Sequence, residues 1–152
     1  MARILITPRS LTKEGHPALE RLKKAGHQLV NCTPGKMPDE AELLALLPGC
    51  AGYLAGVEKV SARVLEAAKG LKVISRNGAG IDNVDLEAAR RLNIQVRPAP
   101  GANARGVAEL TIALIFSLIR SIPWSDGQLK RRSWNRRQGL EVAGRTLGLV
   151  GC

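Results

Sequence analysis

Two glycine-bearing segments hold the residue types that could do chemistry in this chain. The first reads Arg76-Asn77-Gly78-Ala79-Gly80-Ile81-Asp82-Asn83-Val84-Asp85. Glycines let the backbone approach a ligand closely and adopt dihedrals closed to other residues, which leaves N–H groups free to bind an anion such as a carboxylate. In isolation an ordinary glycine turn has the same pattern. Asp82 and Asp85, however, can hydrogen-bond the loop backbone and cap a following helix, which would set a rigid bracket under the glycines. The second segment is Thr146-Leu147-Gly148-Leu149-Val150-Gly151-Cys152. It reads as a buried strand running into the first glycine of G-x-G-x-x-G, the turn that admits a pyrophosphate to a helix N-terminus. Of the three motif glycines, Gly151 is the one present.

Other chemistries find little support. The two histidines, His16 and His27, stand before a helix and at the start of a strand, away from any strand's carboxyl end, and read as surface residues. Cys32, Cys50 and Cys152 are odd in number and far apart, so neither a disulfide framework nor a metal site is expected. Lys130, Arg131, Arg132, Arg136 and Arg137 surround Trp134, a pattern open to phosphate contacts and stacking on nucleic acid but read first as a solvated helix face.

The elements needed to hold the first loop follow from an alternation of short apolar runs and helical patterns. Strands are expected at residues 2–7, 28–32, 53–55, 72–75 and 94–97, with helices at 17–24, 39–47, 61–68 and 86–92. Pro17 sits in a first turn, Ser61 and Asp85 cap, and Gly26 and Gly70 stop their helices. Strict alternation predicts an α/β fold, a flavodoxin-like doubly wound parallel sheet over residues 1–100, with ligands bound at the carboxyl ends of its strands. Pro98-Ala99-Pro100-Gly101 breaks the rhythm and marks a domain boundary. Residues 105–120 then form a long interdomain helix, apolar almost all round and so expected to be buried on several sides, followed by a helix at 123–132 and the first strand of a Rossmann domain.

The composition, 45% hydrophobic with one Phe, one Tyr and two Trp and a net charge of +10, is that of a globular chain packed by aliphatics. The apolar run at 110–119 is shorter than the ~20 residues of a membrane span. No membrane association is expected, and a cytoplasmic location fits the cysteine usage.

Taken together, the loop at 76–85, its continuation Leu86-Glu87-Ala88-Ala89-Arg90-Arg91-Leu92-Asn93-Ile94-Gln95-Val96-Arg97-Pro98-Ala99, the apolar helix and the glycine turn resemble the D-isomer-specific 2-hydroxyacid dehydrogenase family. The resemblance implies a substrate domain and an NAD-binding domain around a cleft, with hydride passing between NAD and C2 of a 2-hydroxy or 2-oxo acid. It implies that amides around Asn77, Gly78, Ala79 and Gly80 hold the substrate carboxylate, that Ala79 and Val107 lie near the cofactor, and that Gly151 begins the pyrophosphate turn. It also implies a homodimer. The family's catalytic arginine, acidic group and histidine have no counterpart in this chain, so no catalytic residue is assigned and the chain is expected to be inactive alone. Residues 101–152 would then be interdomain helices and the start of a truncated NAD-binding domain.

One departure bears on the substrate. Family members acting on phosphorylated acids carry an arginine after the third strand, where this chain has Leu54-Ala55-Gly56-Val57-Glu58-Lys59. Lys59 could reach a phosphate as a point charge, without the fork of arginine. A 3-phosphoglycerate-like acid and a smaller one both stay open, as does NAD against NADP. The alternative of another class is a non-catalytic flavodoxin-like binding or dimerisation module.

Overall fold

The computed structural model describes residues 1–150. Five short runs form strands because each carries apolar side chains and has a neighbour to take its hydrogen bonds: β1 (Arg3–Ile6), β2 (Gln28–Asn31), β3 (Gly52–Ala55), β4 (Val73–Arg76) and β5 (Gln95–Arg97). All pair in parallel, in the order β2-β1-β3-β4-β5. Parallel neighbours cannot be joined by tight turns, so helices carry the chain back between them. These are α1 (Arg9–Glu14), α2 (Pro17–Lys24), α3 (Glu40–Leu46), α4 (Ala62–Ala67) and α5 (Leu86–Arg91).

Local signals set the helix starts. Asp39, Ser61 and Asp85 each accept a hydrogen bond from the backbone N–H three residues on, satisfying one donor that a first turn leaves orphaned. His16 does the same for α2, its Nδ1 accepting from Ala18 N at 3.1 Å. That role explains one of the two histidines. α1 is an element the sequence does not announce: six residues, none buried, hence no apolar period to read.

Leu5, Tyr53 and Ile74 on the sheet pack with Leu43, Leu47, Val64, Leu65 and Ala88 from the helices into one core, most of it wholly excluded from water. The chain divides into two compact units, Met1–Asn103 and a second from Ala104 onward.

The second unit contains α6 (Ala104–Ile119) and α7 (Ile122–Lys130), bent 63° from each other. No single helix among the described residues is long and apolar enough to cross a membrane. Two expectations are corrected here. α6 has no buried residue, and Val107, Leu110, Ile112, Leu114, Phe116 and Leu118 are all exposed. Its neighbours in the unit are too few to surround it: Ile115 and Ile119 are half-buried beside Leu140, Val142 and Leu147, and the other faces stay open. Residues 145–150 form no strand, since the described part of this unit offers no second strand to receive their hydrogen bonds, and Leu147 and Leu149 are exposed. Gly151 lies outside the described residues.

Two measurements test this packing. Ile74→Ala, which empties the centre of the sheet, is expected to cost about 2–5 kcal/mol in urea unfolding, and a loss below about 1 kcal/mol would be inconsistent with a close-packed core. Burial raises the thiol pKa of both Cys32 and Cys50. Alkylation at about pH 8, mapped by mass spectrometry, is therefore expected to spare both until the chain is denatured.

Candidate functional site

In an open parallel sheet the strand ends diverge where the connection reverses direction, which here is between β1 and β3. A cavity of about 350 Å³ opens there. Its lining comes from the carboxyl ends of three strands: Thr7 and Pro8 after β1, Gly56, Val57 and Glu58 after β3, and Asn77 after β4. Arg9 and Ser10 on α1 and Met37 complete it.

Glu58 is the residue that organises this end of the sheet, and sequence reasoning does not single it out. It is 3% exposed. Burying a carboxylate costs several kcal/mol unless donors replace its water. Its Oε1 receives three: the Thr7 hydroxyl, the Tyr53 hydroxyl at 2.6 Å and the Gly56 N–H at 2.8 Å. None of the ion pairs among the described residues involves it. Burial first, then the Glu58 charge and hydrogen bond, drive the Tyr53 phenol pKa far above its ordinary value of 10.0.

Glu58 Oε2 takes no hydrogen bond from the chain. The one fully enclosed side-chain polar atom left without a partner, among the described residues, is His27 Nδ1. Glu58 Oε2 is therefore not fully enclosed, and Glu58 is one of the residues that line the cavity. Gly56 is required beside it, because a Cβ there would stand 2.6 Å from that oxygen and 3.3 Å from the Pro8 backbone.

The glycine loop is fastened to this structure by Asn83. Its Nδ2 donates to the carbonyls of Glu58 at 2.7 Å and Gly56 at 3.3 Å, and its Oδ1 accepts from Arg76 Nε at 3.2 Å. Arg76 in turn donates to the Asn77 carbonyl at 2.5 Å. A short bridge between Val60 and Val84 closes the base, with Val60 N donating to Asn83 O and Asp85 N to Val60 O. The expected bracket thus exists but is built differently. Asp85 does cap α5, accepting from Ala88 N at 2.9 Å, whereas Asp82 is exposed and makes no hydrogen bond; the amide of Asn83 can both donate and accept, which a carboxylate cannot.

The four loop residues divide into two pairs. Asn77 N donates to Ala55 O at 2.8 Å and Gly78 N to Arg76 O at 2.9 Å, so both are committed. The Ala79 and Gly80 N–H groups have no acceptor in the chain, and both residues are exposed. Gly78 has a φ of 155°, which favours glycine, and a Cβ there would also have to displace the Arg76 guanidinium, 2.5 Å away. Its carbonyl accepts from Ala99 N at 3.0 Å, which ties the loop to the segment after β5.

Of the four loop residues Asn77 alone lines this cavity; Gly78, Ala79 and Gly80 do not, and other expected residues also fall outside it. Lys59 is exposed and lines a separate recess with Glu40 and Ser61. Neither histidine lines the cavity. Val107 belongs to the second unit, 54% exposed on α6. Among the described residues no cluster of His, Cys, Asp or Glu could hold a metal ion.

The chain is similar to known proteins in sequence and in fold. The family model described as "D-isomer specific 2-hydroxyacid dehydrogenase, catalytic domain" matches residues 5–147. D-3-phosphoglycerate dehydrogenase of Homo sapiens is 43% identical over 113 residues, covering 72% of this chain and 21% of that protein. The enzyme of the same name from Methanocaldococcus jannaschii is 46% identical over 95 residues, 61% of this chain and 18% of its own. The chain thus spans about a fifth of the length of the curated relatives it matches. Among solved structures, the TT0316 protein of Thermus thermophilus superposes with a TM-score of 0.80 at 34% identity, over 93% of this chain and 46% of that one. The NAD+-bound 3-phosphoglycerate dehydrogenase of Entamoeba histolytica gives 0.71 at 25% identity, over 93% and 43%.

The Glu58 network can be checked directly, because Tyr53 is the sole tyrosine. In the folded state its phenol stays neutral at pH values where an unfolded chain ionises it, so stability is complete below about pH 10 and falls as pH rises above it. An ultraviolet titration of the folded chain is expected to show no tyrosinate at pH 10, ionisation coming only with loss of structure. A reversible midpoint near 10 with the fold intact would exclude the buried hydrogen bond.

Proposed function

The chain belongs to the D-isomer specific 2-hydroxyacid dehydrogenase family, and from that premise we propose that its first unit is the acid-binding part of an NAD-dependent oxidoreductase acting on a D-2-hydroxy acid. The observation that carries this reading is the pair of unsatisfied amides at Ala79 and Gly80, held on a loop fixed by Arg76 and Asn83 beside the cavity. Two adjacent N–H groups suit the two oxygens of a carboxylate, and charge-assisted bonds of this kind are worth about 1.5–3 kcal/mol each. Preorganisation adds to this, because the loop need not be ordered by the ligand.

NAD, when bound in such an enzyme, accepts or supplies hydride at C2 of the acid. The described residues of this chain do not build a cradle for it, since 145–150 form no strand. Ala79, Val107 and Gly151 are kept as residues near the cofactor on the strength of the family likeness alone. No histidine borders the cavity to move the hydroxyl proton, so this chain by itself is proposed to bind the acid without oxidising it. Residues 1–100 would be the substrate domain, and 101–152 the interdomain helices with the opening of the nucleotide domain.

The exposed apolar side chains of α6 support a second role, as a contact between two copies of the chain. On the alternative, non-catalytic reading this would be the whole function. Acid binding at the loop separates the two.

Titration with D-lactate, followed by amide resonances, is expected to shift Ala79 and Gly80 more than any other residues. Gly80→Pro, which deletes one donor, is expected to weaken binding about tenfold or more. Shifts confined to other parts of the chain, or a Gly80→Pro variant that binds as well as the parent, would overturn the assignment. Light scattering is expected to give a dimer mass, and a monomer over a wide concentration range would contradict the α6 contact.

A further inference from the structure

We propose that Glu58 is a specificity-determining residue, its free Oε2 accepting a hydrogen bond from a hydroxyl on the acid's C3 or beyond, so that the site selects a hydroxylated 2-hydroxy acid over a phosphorylated one. This deepens the reading of the glycine loop as a carboxylate site and rests on it.

Three observations converge. The first is the accounting at the carboxylate: Oε1 is saturated by Thr7, Tyr53 and Gly56, while Oε2 has no donor in the chain and is not fully enclosed, in a residue that lines the cavity. A carboxylate oxygen that the chain leaves without a donor is a charge-assisted acceptor for an arriving hydroxyl. The second is that no cation among the described residues pairs with Glu58, so the charge it presents to the cavity is not cancelled locally. A phosphate, carrying about −1.5 to −2, would meet the like charge of a buried carboxylate, which solvent screens less than it screens an exposed group. Arg9 also lines the cavity, but it sits exposed on α1, where solvent and salt screen it. The groups that remain at the rim, Ser10 and Asn77, are neutral hydrogen-bonding side chains suited to a polyol.

The third is rigidity. Asn83 links the Glu58 and Gly56 carbonyls to Arg76, and Arg76 links to Asn77, two residues before the free amides. Asn77, through its own N–H to Ala55 O, is anchored to β3. Asn77 lines the cavity and the free amides follow two and three residues later, so the carboxylate loop and Glu58 belong to one hydrogen-bonded frame that is in place before the acid arrives. About 350 Å³ is room for a short-chain acid.

The test uses the complete 152-residue chain and three probes: D-lactate, D-glycerate and 3-phosphoglycerate. Calorimetric or amide-shift titration is expected to rank D-glycerate about fivefold tighter than D-lactate, a modest hydrogen bond's worth, with 3-phosphoglycerate weakest. Glu58→Gln, which keeps the shape and an acceptor while removing the charge, is expected to raise 3-phosphoglycerate affinity relative to D-glycerate about tenfold. 3-Phosphoglycerate binding at least as tightly as D-glycerate, or a ratio unmoved by Glu58→Gln, would overturn the proposal. The ranking in the parent chain needs no variant and decides the matter even if Glu58→Gln does not fold. If all three acids shift Ala79 and Gly80 with equal affinity, the role of Glu58 fails while the carboxylate loop stands. If none shifts them, the loop reading itself fails, and this inference with it.

Discussion

A carboxylate that is folded away from water with no cation beside it must be given donors, and that demand at Glu58 shapes the carboxyl end of the sheet. The donors come from three places: Thr7 where β1 ends, Tyr53 inside β3, and the Gly56 N–H just after it. Meeting at one oxygen, they fix how far β1 and β3 extend before they part, and so where the cavity between them opens. The demand propagates. Position 56 must be glycine because a Cβ would strike the second carboxylate oxygen, and Tyr53 must stay protonated because its proton is the bond. Asn83 then reads the carbonyls of the same turn and passes the constraint to Arg76, whose guanidinium occupies the space over Gly78. The two free amides at Ala79 and Gly80 are the end of this chain of consequences, and they are useful because everything before them is satisfied.

Much of the scaffold was legible in the residues. Alternating short apolar runs and capped helices gave the five strands, and Asp39, Ser61 and Asp85 took the cap positions their types suggested. α1 escaped because six exposed residues leave no period. Glu58 escaped for a related reason. In Gly56-Val57-Glu58-Lys59 it looks like a solvated turn residue, and only the fold brings Thr7, fifty-one positions earlier, against it. The carboxylate loop was located but not resolved: the sequence offered four equivalent amides, and tertiary partners at Ala55 and Arg76 consumed two of them. The sequence pointed to Asp82 and Asp85 for the bracket, yet it needed a side chain that donates and accepts at once, which the Asn83 amide does and the Asp82 carboxylate does not.

The two units differ in how well they satisfy themselves. The first buries a continuous aliphatic core and pairs every strand. The second leaves α6 with apolar residues exposed around most of its circumference, although its composition is that of an interior helix. Periodicity correctly predicted the helix and could not supply the surfaces to cover it. The same limit applies to residues 145–150, whose strand-like sequence has no strand beside it among the described residues. Local sequence can favour an element, but burial and sheet pairing are properties of what surrounds it.

The central claim, that Glu58 is the acceptor on which the site is built, is tested most directly by hydrogen exchange at the Gly56 amide. Gly56 lies one residue past β3, where a turn amide without a partner would exchange freely. The account predicts protection comparable with the β3 ladder amides in the parent chain, lost selectively in a Glu58→Ala chain that remains folded. Free exchange at Gly56 in the parent, while the amides of β3 stay protected, would contradict it.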